Sequence, residues 1–108
     1  MANTFTSYVN KDVGTSAATV VTVASATQTT VIGMTASNTT SSSVTVDVYI
    51  TRSAVNYYII KGATVPSGGS LVIVGGDQKV VLVASDALKI VSSAAASIDA
   101  VTSVLEIT

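Results

Sequence analysis

The chain has no histidine and no cysteine, so its carboxylates are the first candidates for any chemistry. A carboxylate enzyme needs two such groups a few ångströms apart, one acting as the acid and the other as the base or nucleophile. Most aspartates instead adjoin turn segments or strand starts, where a carboxylate accepts hydrogen bonds from backbone N–H groups. We predict that capping role, and replacing Asp47 and Asp99 by asparagine would test the enzymatic alternative. The acidic residues are Asp12, Asp47, Asp77, Asp86, Asp99 and Glu106.

Other catalytic and cofactor sites lack their essential residues. Without histidine or cysteine, neither a Ser-His-Asp nor a Cys-His arrangement, a zinc-thiolate site or a disulfide framework can be built. Gly68-Gly69 and Gly75-Gly76-Asp77 are not followed by Gly-Lys-Ser/Thr, so they predict tight turns and not a phosphate loop. The sequence predicts a protein that is not an enzyme and uses no cofactor or metal.

The net charge and the distribution of charged residues limit the classes of partner that the chain is expected to bind. Net charge is −1, only 10% of residues are charged, and the five basic residues are scattered. That distribution predicts no nucleic-acid partner. Weak self-repulsion favours association, so we expect a homo-oligomer, a dimer or trimer. Apolar runs such as Val80 to Ala84 fall far short of the ~20 residues of a membrane helix. The first residues lack the features of a secretory signal, so we expect synthesis in the cytoplasm and no membrane partner.

Composition and periodicity both indicate β structure. Valine (19), threonine (16) and serine (15) supply nearly half of the 108 residues. In Val44 to Ile50, apolar and polar residues alternate strictly, which is typical of a half-buried strand. We predict one all-β domain over residues 1–108, an antiparallel β-sandwich or jelly-roll-like barrel of about eight short strands. The predicted strands are Thr4 to Val9, Thr29 to Ser37, Val44 to Ile50, Val55 to Lys61, Ser70 to Val74, Lys79 to Val83, Ala87 to Val91 and Asp99 to Ile107.

Several local features accompany these strands. The polar segment Asn38 to Ser43 predicts a hairpin between the strands on either side of it. Asp47 and Arg52 are predicted to pair near a sheet edge. Ser92 to Ala100 is predicted to hold one helical turn at most. Pro66-Ser67-Gly68-Gly69 is the strongest turn signal in the chain.

The candidate functional residues are apolar or aromatic and belong to contact surfaces. Residues 1–24 form either an N-terminal arm that packs on a neighbour or an edge strand, with Ala17 to Ala24 the apolar part. Adjacent strand residues point to opposite faces, so of Tyr57 and Tyr58 one is expected in the core and one at the surface. Tyrosine is enriched at protein interfaces. The predicted interface residues are Phe5, Tyr8, Val20, Val21, Val23, Tyr57 and Tyr58.

The order of segments from about residue 30 to the end resembles small virion proteins of tailed bacteriophages, cyanophages among them. The segments that carry the resemblance are Thr30 to Asn38, Val44 to Ile50, Pro66 to Leu71, Asp86 to Ile90 and Ser103 to Ile107. They are turns and strand ends with no catalytic signature, and residues 1–29 lie outside the resemblance.

This resemblance implies a β-sandwich or β-tulip-like module of the virion. The expected function is a capsid cement or decoration protein that stabilises the head by contacts with the major capsid protein or other virion subunits. Its expected location is the virion, assembled in the host cytoplasm. The alternative is a neck, tail or fibre accessory module that binds a receptor or glycan through Tyr57 or Tyr58 and the Asn38 to Ser43 loop.

Overall fold

A computed structural model describes residues 2–75 and 78–108, and their regular structure consists of strands. This confirms the predicted all-β class. The predicted turn at Gly75-Gly76-Asp77 lies partly outside the described residues. The strands are β1 (Asn3–Val13), β2 (Ala18–Thr22), β3 (Gln28–Asn38), β4 (Val44–Arg52), β5 (Val55–Val65), β6 (Ser70–Val74), β7 (Val80–Leu82), β8 (Ala87–Ser92) and β9 (Ile98–Ile107).

The strands form two antiparallel sheets. Sheet A has the order β1-β9-β3-β6, with the short β7 also paired to β3, and sheet B has the order β2-β8-β4-β5. Consecutive strands therefore lie mostly in opposite sheets, and strands distant in sequence pair within each sheet, as in a jelly roll. In sheet A no two sequence-adjacent strands pair, whereas sheet B contains one hairpin, β4–β5.

One hydrophobic core fills the space between the sheets. The strict alternation in β4 turns Val44, Val46 and Val48 inward, where each is at most 4% exposed. Met34 of β3 and Leu88 of β8 are also buried, so both sheets supply side chains to the same cluster. Burial of β-branched side chains between two pleated surfaces is the main stabilising term of such a sandwich.

The predicted hairpin between β3 and β4 is wrong. β3 lies in sheet A and β4 in sheet B, and the polar segment between them crosses from one sheet to the other. Buried Asn38 organises this crossing: its Nδ2 donates to the carbonyls of Ser42 (2.8 Å) and Val65 (3.0 Å), and its Oδ1 accepts from Thr40. Two strands with one apolar face each can pair or can face each other across a core, and alternation alone does not distinguish these arrangements.

The described part of residues 1–24 contributes two edge strands, β1 and β2, to the sandwich. β1 pairs with β9 in unbroken register from Asn3↔Ile107 to Asn10↔Ala100, and β2 pairs with β8. Both strands flank the same side of the sandwich, and Val13 and Val20 enter its core.

The turns follow the sequence signals unevenly. At Pro66-Ser67-Gly68-Gly69 the expected turn is confirmed: Gly69 N donates to Pro66 O (2.9 Å), and Gly68 has φ +67°. The β4–β5 turn is formed by Ser53 and Ala54, both at positive φ, as a two-residue primed turn requires, although neither residue favours it. Between β8 and β9 the chain bends without a helix. None of the described residues belongs to a helix long and apolar enough to cross a membrane.

Candidate assembly surfaces

The outer face of sheet A, here called the A face, exposes apolar side chains in two rows. Register places Phe5, Leu105, Thr30 and Val81 side by side across β1, β9, β3 and β7. Cross-strand neighbours share a face, so these four side chains form the first row. The second row crosses β1, β9, β3 and β6 and consists of Val9, Val101, Thr35 and Val72.

Small residues separate the two rows. Ser7, Ser103 and Gly33 are mutual neighbours in the register and lie between the rows. The apolar residues of the A face are well exposed: Phe5 75%, Val9 73%, Val72 66%, Val81 57% and Val101 48%. The A face therefore has two apolar ridges with a shallow trough between them over β1 and β9, while on β3 the half-exposed Ile32 lies beside Gly33 at a bulge.

Among the described residues, charge lies at the margins of the A face: Lys11 and Asp99 lie beyond the second row, and the exposed Lys79 directly precedes β7. Lys11 Nζ lies 2.9 Å from Asp99 Oδ2, beyond the second apolar row. The two charges neutralise each other, and an ion pair this exposed stabilises the fold little. The rows themselves consist of apolar residues and threonine.

The free edge of β1 is long and regular. Ala2 and Thr108 exchange two backbone hydrogen bonds. In an antiparallel ladder, hydrogen-bonded and non-hydrogen-bonded residue pairs alternate along the strand. Thr4, Thr6 and Tyr8 of β1 therefore form hydrogen-bonded pairs with β9. The backbone N–H and C=O groups of Phe5, Ser7 and Val9 consequently point away from β9. No strand in residues 2–75 and 78–108 pairs with that side of β1.

The outer face of sheet B, here called the B face, is aromatic and charged. The rings of Tyr49 and Tyr58 lie 5.0 Å apart at an angle of 48°. Lys61 Nζ sits 4.6 Å from the Tyr58 ring centroid and 3.7 Å from Asp47 Oδ2. Tyr49 also lies beside Lys89 across β4 and β8. This surface differs in kind from the A face, because opposite charges and aromatic faces dominate it.

The expectation that one of Tyr57 and Tyr58 is buried is wrong, since they are 56% and 46% exposed. They do point to opposite sides of β5. Because β5 is an edge strand, the inward-facing Tyr57 lies at the rim of the sandwich. There it lines an open groove of about 460 Å³ with Ile50, Arg52 and Val81.

An ion pair not foreseen from the sequence fixes this rim. Arg52 Nε donates to Asp86 Oδ1 at 2.8 Å and Arg52 Nη2 to Asp86 Oδ2 at 2.6 Å. The predicted Asp47–Arg52 pair is wrong, since Asp47 lies beside Lys61. The Asp86 side chain is 1% exposed, and it also accepts from Val83 N at 2.9 Å. The Arg52 hydrogen bonds hold the pKa of Asp86 below its ordinary value.

Tyr8 lies on the inner side of sheet A. Its ring packs against the core, and its hydroxyl donates to the Glu106 carboxylate. That hydrogen bond, with partial burial, raises the pKa of Tyr8 to about 12. The side chain is thus engaged within the chain.

Three of the aspartates, Asp47, Asp86 and Asp99, accept backbone N–H groups, which confirms the predicted capping role for them. Asp47 Oδ1 accepts from Gly62 N (2.7 Å), and Asp99 Oδ1 accepts from Asp12 N (3.1 Å). Asp47 and Asp99 lie on β4 and β9, in different sheets, so they form no catalytic pair. Within the described part of the chain, no three acidic residues cluster in a way that could hold a metal ion.

Apart from Tyr8, the predicted interface residues divide into two groups. Val20, Val21 and Val23 are at most 6% exposed and belong to the core, so their side chains are not available to a partner. The apolar segment Ala17 to Ala24 is compatible with an arm or with an edge strand; in the structure a bulge between Thr19 and Val21 turns both Val20 and Val21 inward. Phe5, Tyr57 and Tyr58 are exposed, and their interface role stays a prediction.

Sequence reasoning missed most of the A face. The signal was present in the uninterrupted apolar runs Leu71 to Val74 and Val80 to Val83, because a strand with consecutive apolar residues presents them on both faces. A strand that covers the core on one side only then leaves the other apolar set exposed, as Val72 and Val81 are.

Comparisons with known proteins show similarity at the level of fold. No protein-family model and no curated protein sequence matches the chain. Among solved structures, a subunit of Bacillus endospore appendages, described as disulfide-linked pili, aligns with a TM-score of 0.58 and 15% identity, covering 99% of this chain and 87% of that one. A chain of the T13 IBDV viral particle aligns with a TM-score of 0.54 and 12% identity, covering 96% and 35%.

These similarities establish a shared fold. This chain spans most of the appendage subunit but only about a third of the viral chain. The β-sandwich described here is thus a fold that proteins of two large assemblies, a pilus and a virus particle, also contain.

Proposed function

We propose that the chain is a non-catalytic structural subunit of a larger protein assembly. The observation that carries this proposal is the free edge of β1, which is regular and uncharged from Asn3 to Asn10. Soluble β proteins normally interrupt or charge such an edge, because its unpaired N–H and C=O groups accept another strand. Here Lys11 and the bulge between Asn10 and Val13 interrupt only the far end. The edge is suited to pairing with a neighbouring subunit.

In its finer form, the proposal is a virion subunit of a tailed phage, acting as a cement or decoration protein of the head. The segment resemblance from residue 30 onward supports this, and so does the shared fold with a viral particle protein. The partners would be the major capsid protein and further copies of the chain. Stabilisation of the head would come from surface buried across neighbouring subunits, at roughly 25 cal/mol per Å² of apolar area before association costs.

The edge can be tested by a substitution that leaves the fold intact. The Ser7 N–H points to the free edge, so Ser7→Pro removes an outward donor without breaking the β1–β9 ladder. Ser7→Ala is the matched control. We expect assemblies of the unaltered chain and of Ser7→Ala, seen by light scattering and negative-stain microscopy, and their loss in Ser7→Pro. Equal assembly by Ser7→Pro would contradict edge pairing.

The phage-head assignment needs its own experiment. Purified chain is mixed with isolated phage heads that lack decoration protein, and bound protein is measured after sedimentation. Saturable binding at a fixed number of copies per capsid subunit, with raised thermal stability of the heads, is expected. Absence of binding to heads would overturn this assignment and leave the broader structural role to be judged by the edge test.

The second candidate is a fibre or appendage module that binds a receptor or glycan. Two observations favour it: the exposure of Tyr57 and Tyr58, and whole-chain similarity to an appendage subunit. This chain contains no cysteine, so any fibre it builds would be held without disulfides of its own. A glycan array probed with the chain and with a Tyr57→Ala/Tyr58→Ala variant tests it. Binding lost in the variant would support this function, and an array without signal would exclude glycan recognition.

A further inference from the structure

We infer that the A face is a homodimer interface, packed against the A face of a second copy. The inference deepens the proposed function by naming one partner of the subunit. It uses the outward side chains of sheet A and not the free edge of β1. The two contacts can therefore be separated by mutation.

Charge argues for a second copy as the occupant. An apolar face is best covered by one that is equally uncharged, since burying unpaired charges against it would be costly. The other large face of this chain is unsuitable, because the B face carries Lys61, Lys89 and Asp47. The two apolar rows of the A face meet the requirement themselves, since Lys11, Asp99 and Lys79 lie outside them, and a twofold axis would bring two identical faces together.

Area is compatible with a stable dimer. Four strands at about 4.8 Å spacing and eleven residues at about 3.4 Å rise give a face of roughly 19 by 37 Å, about 700 Å². A standard protein–protein interface buries about 800 Å² per partner. Contiguous exposed apolar patches of more than a few hundred Å² are rare on soluble monomers. The A face, of which the apolar rows are a part, is thus close in size to one side of a standard interface.

Shape supports the same arrangement. The two apolar rows cross β1 at Phe5 and Val9, four residues or about 13 Å apart, with Ser7 midway between them. A copy displaced by half that distance places one of its ridges in the trough that Ser7 and Ser103 line over β1 and β9. Interleaved side chains of this kind are how two sheets normally pack, about 10 Å apart.

Lysines placed on the A face test the inference. Val72 and Val101 are exposed and lie away from the β1 edge, so Val72→Lys with Val101→Lys leaves both the core and that edge unchanged. Thr19→Lys with Thr45→Lys adds the same charge to sheet B as a matched control. Sedimentation equilibrium over a range of concentrations gives the dissociation constants, and thermal unfolding of dilute samples verifies the fold.

On dilution to micromolar concentration we expect assemblies of the unaltered chain to dissociate no further than a dimer. The dissociation constant of this dimer should be at least 100-fold higher with lysines on the A face and unchanged in the control. A Ser103→Cys variant should also be cross-linked between copies by a bis-maleimide of about 10 Å, since the chain has no other cysteine. A monomeric unaltered chain at the highest soluble concentration, or undiminished association of the lysine variant, would overturn the inference. A chain that dimerises through the A face but neither assembles nor binds particles would retain this inference and refute the proposed function.

Discussion

The two outer faces of the sandwich are built on different principles. On the B face, specific pairs join neighbouring strands: Tyr49 with Tyr58, and Lys61 with both Tyr58 and Asp47. On the A face, register alone brings together side chains such as Val9, Val101 and Val72, which leave much of their apolar surface in solvent. One face completes its interactions within the chain, and the other leaves them open to a partner.

This difference shows where self-association can occur without loss of fold. Stabilising interactions of the monomer lie in the core, on the B face and at the Arg52–Asp86 pair at the rim of sheet B. The exposed valines of the A face contribute little to the monomer, so their identity is free to serve an interface. We therefore expect some substitutions to lower the stability of the folded monomer and others, on the A face, only to weaken association between copies.

The largest effect is expected from removing the carboxylate at the sheet B rim. Asp86→Asn leaves Arg52 without its bidentate partner and weakens the bond to Val83 N, at a cost of about 2–3 kcal/mol because Asp86 is buried. Urea unfolding measures the change. The matched variant on sheet A, Asp99→Asn, faces an exposed lysine and should shift the midpoint far less. Equal destabilisation by both would remove the contrast between the two sheets.

Asp86 should also make the stability of the fold depend on acidic pH. Arg52 lowers the folded-state pKa of Asp86, so this pair stabilises the fold above the unfolded aspartate pKa of about 3.9. That contribution is lost as pH falls from about 4 through the folded value. Unfolding free energies between pH 6 and 2.5 should show a component absent from Asp86→Asn. The pKa of Asp99 is also lowered, so Asp99→Asn serves as the comparison variant. In that variant the unfolding free energy should keep most of its dependence on acidic pH, because Asp86 is unchanged.

A smaller effect is expected from the aromatic residues of the two faces. Tyr58→Ala removes the ring contact with Tyr49 and the position of Lys61 over the ring, at a cost of about 1–2 kcal/mol. Phe5→Ala on the A face removes a ring that is 75% exposed, at a cost below about 0.5 kcal/mol in the monomer. Dilute samples must be compared by thermal unfolding. If Phe5→Ala proved the more damaging in the monomer, the A face would be structural and not free for a partner.

The smallest expected effect on stability is the loss of the Tyr8–Glu106 hydrogen bond of sheet A at alkaline pH. The pKa of Tyr8 is raised to about 12 by its bond to Glu106, against about 10 when unfolded. This bond stabilises the fold fully below pH 10 and is lost as pH rises toward 12. The difference in urea midpoint between the unaltered chain and Tyr8→Phe should shrink between pH 9 and 11.5. If the difference in urea midpoint did not change with pH, the hydrogen bond from the Tyr8 hydroxyl to Glu106 would not contribute to stability.

Strand positions were predictable because their signal is local. The alternation of Val44 to Ile50 and the turn at Pro66 to Gly69 each fix the conformation of a few consecutive residues, and both are confirmed. The β4–β5 turn at Ser53-Ala54 shows the limit, since this dipeptide is not a favoured primed turn and tertiary pairing imposes its positive φ values. The Tyr57 and Tyr58 prediction was wrong because exposure depends on β5 lying at an edge.

By itself, the sequence determined the β class, the strand positions, the capping role of the aspartates and the lack of histidine and cysteine chemistry. Those properties depend on residue type and on neighbours within a few positions. Tertiary structure alone decided that β3 and β4 face each other across the core, that Arg52 pairs with Asp86, and that Val72, Val101 and Val9 share one face. In the described part of sheet A no two sequence-adjacent strands pair with each other, so the register depends on long-range contacts that no local pattern encodes.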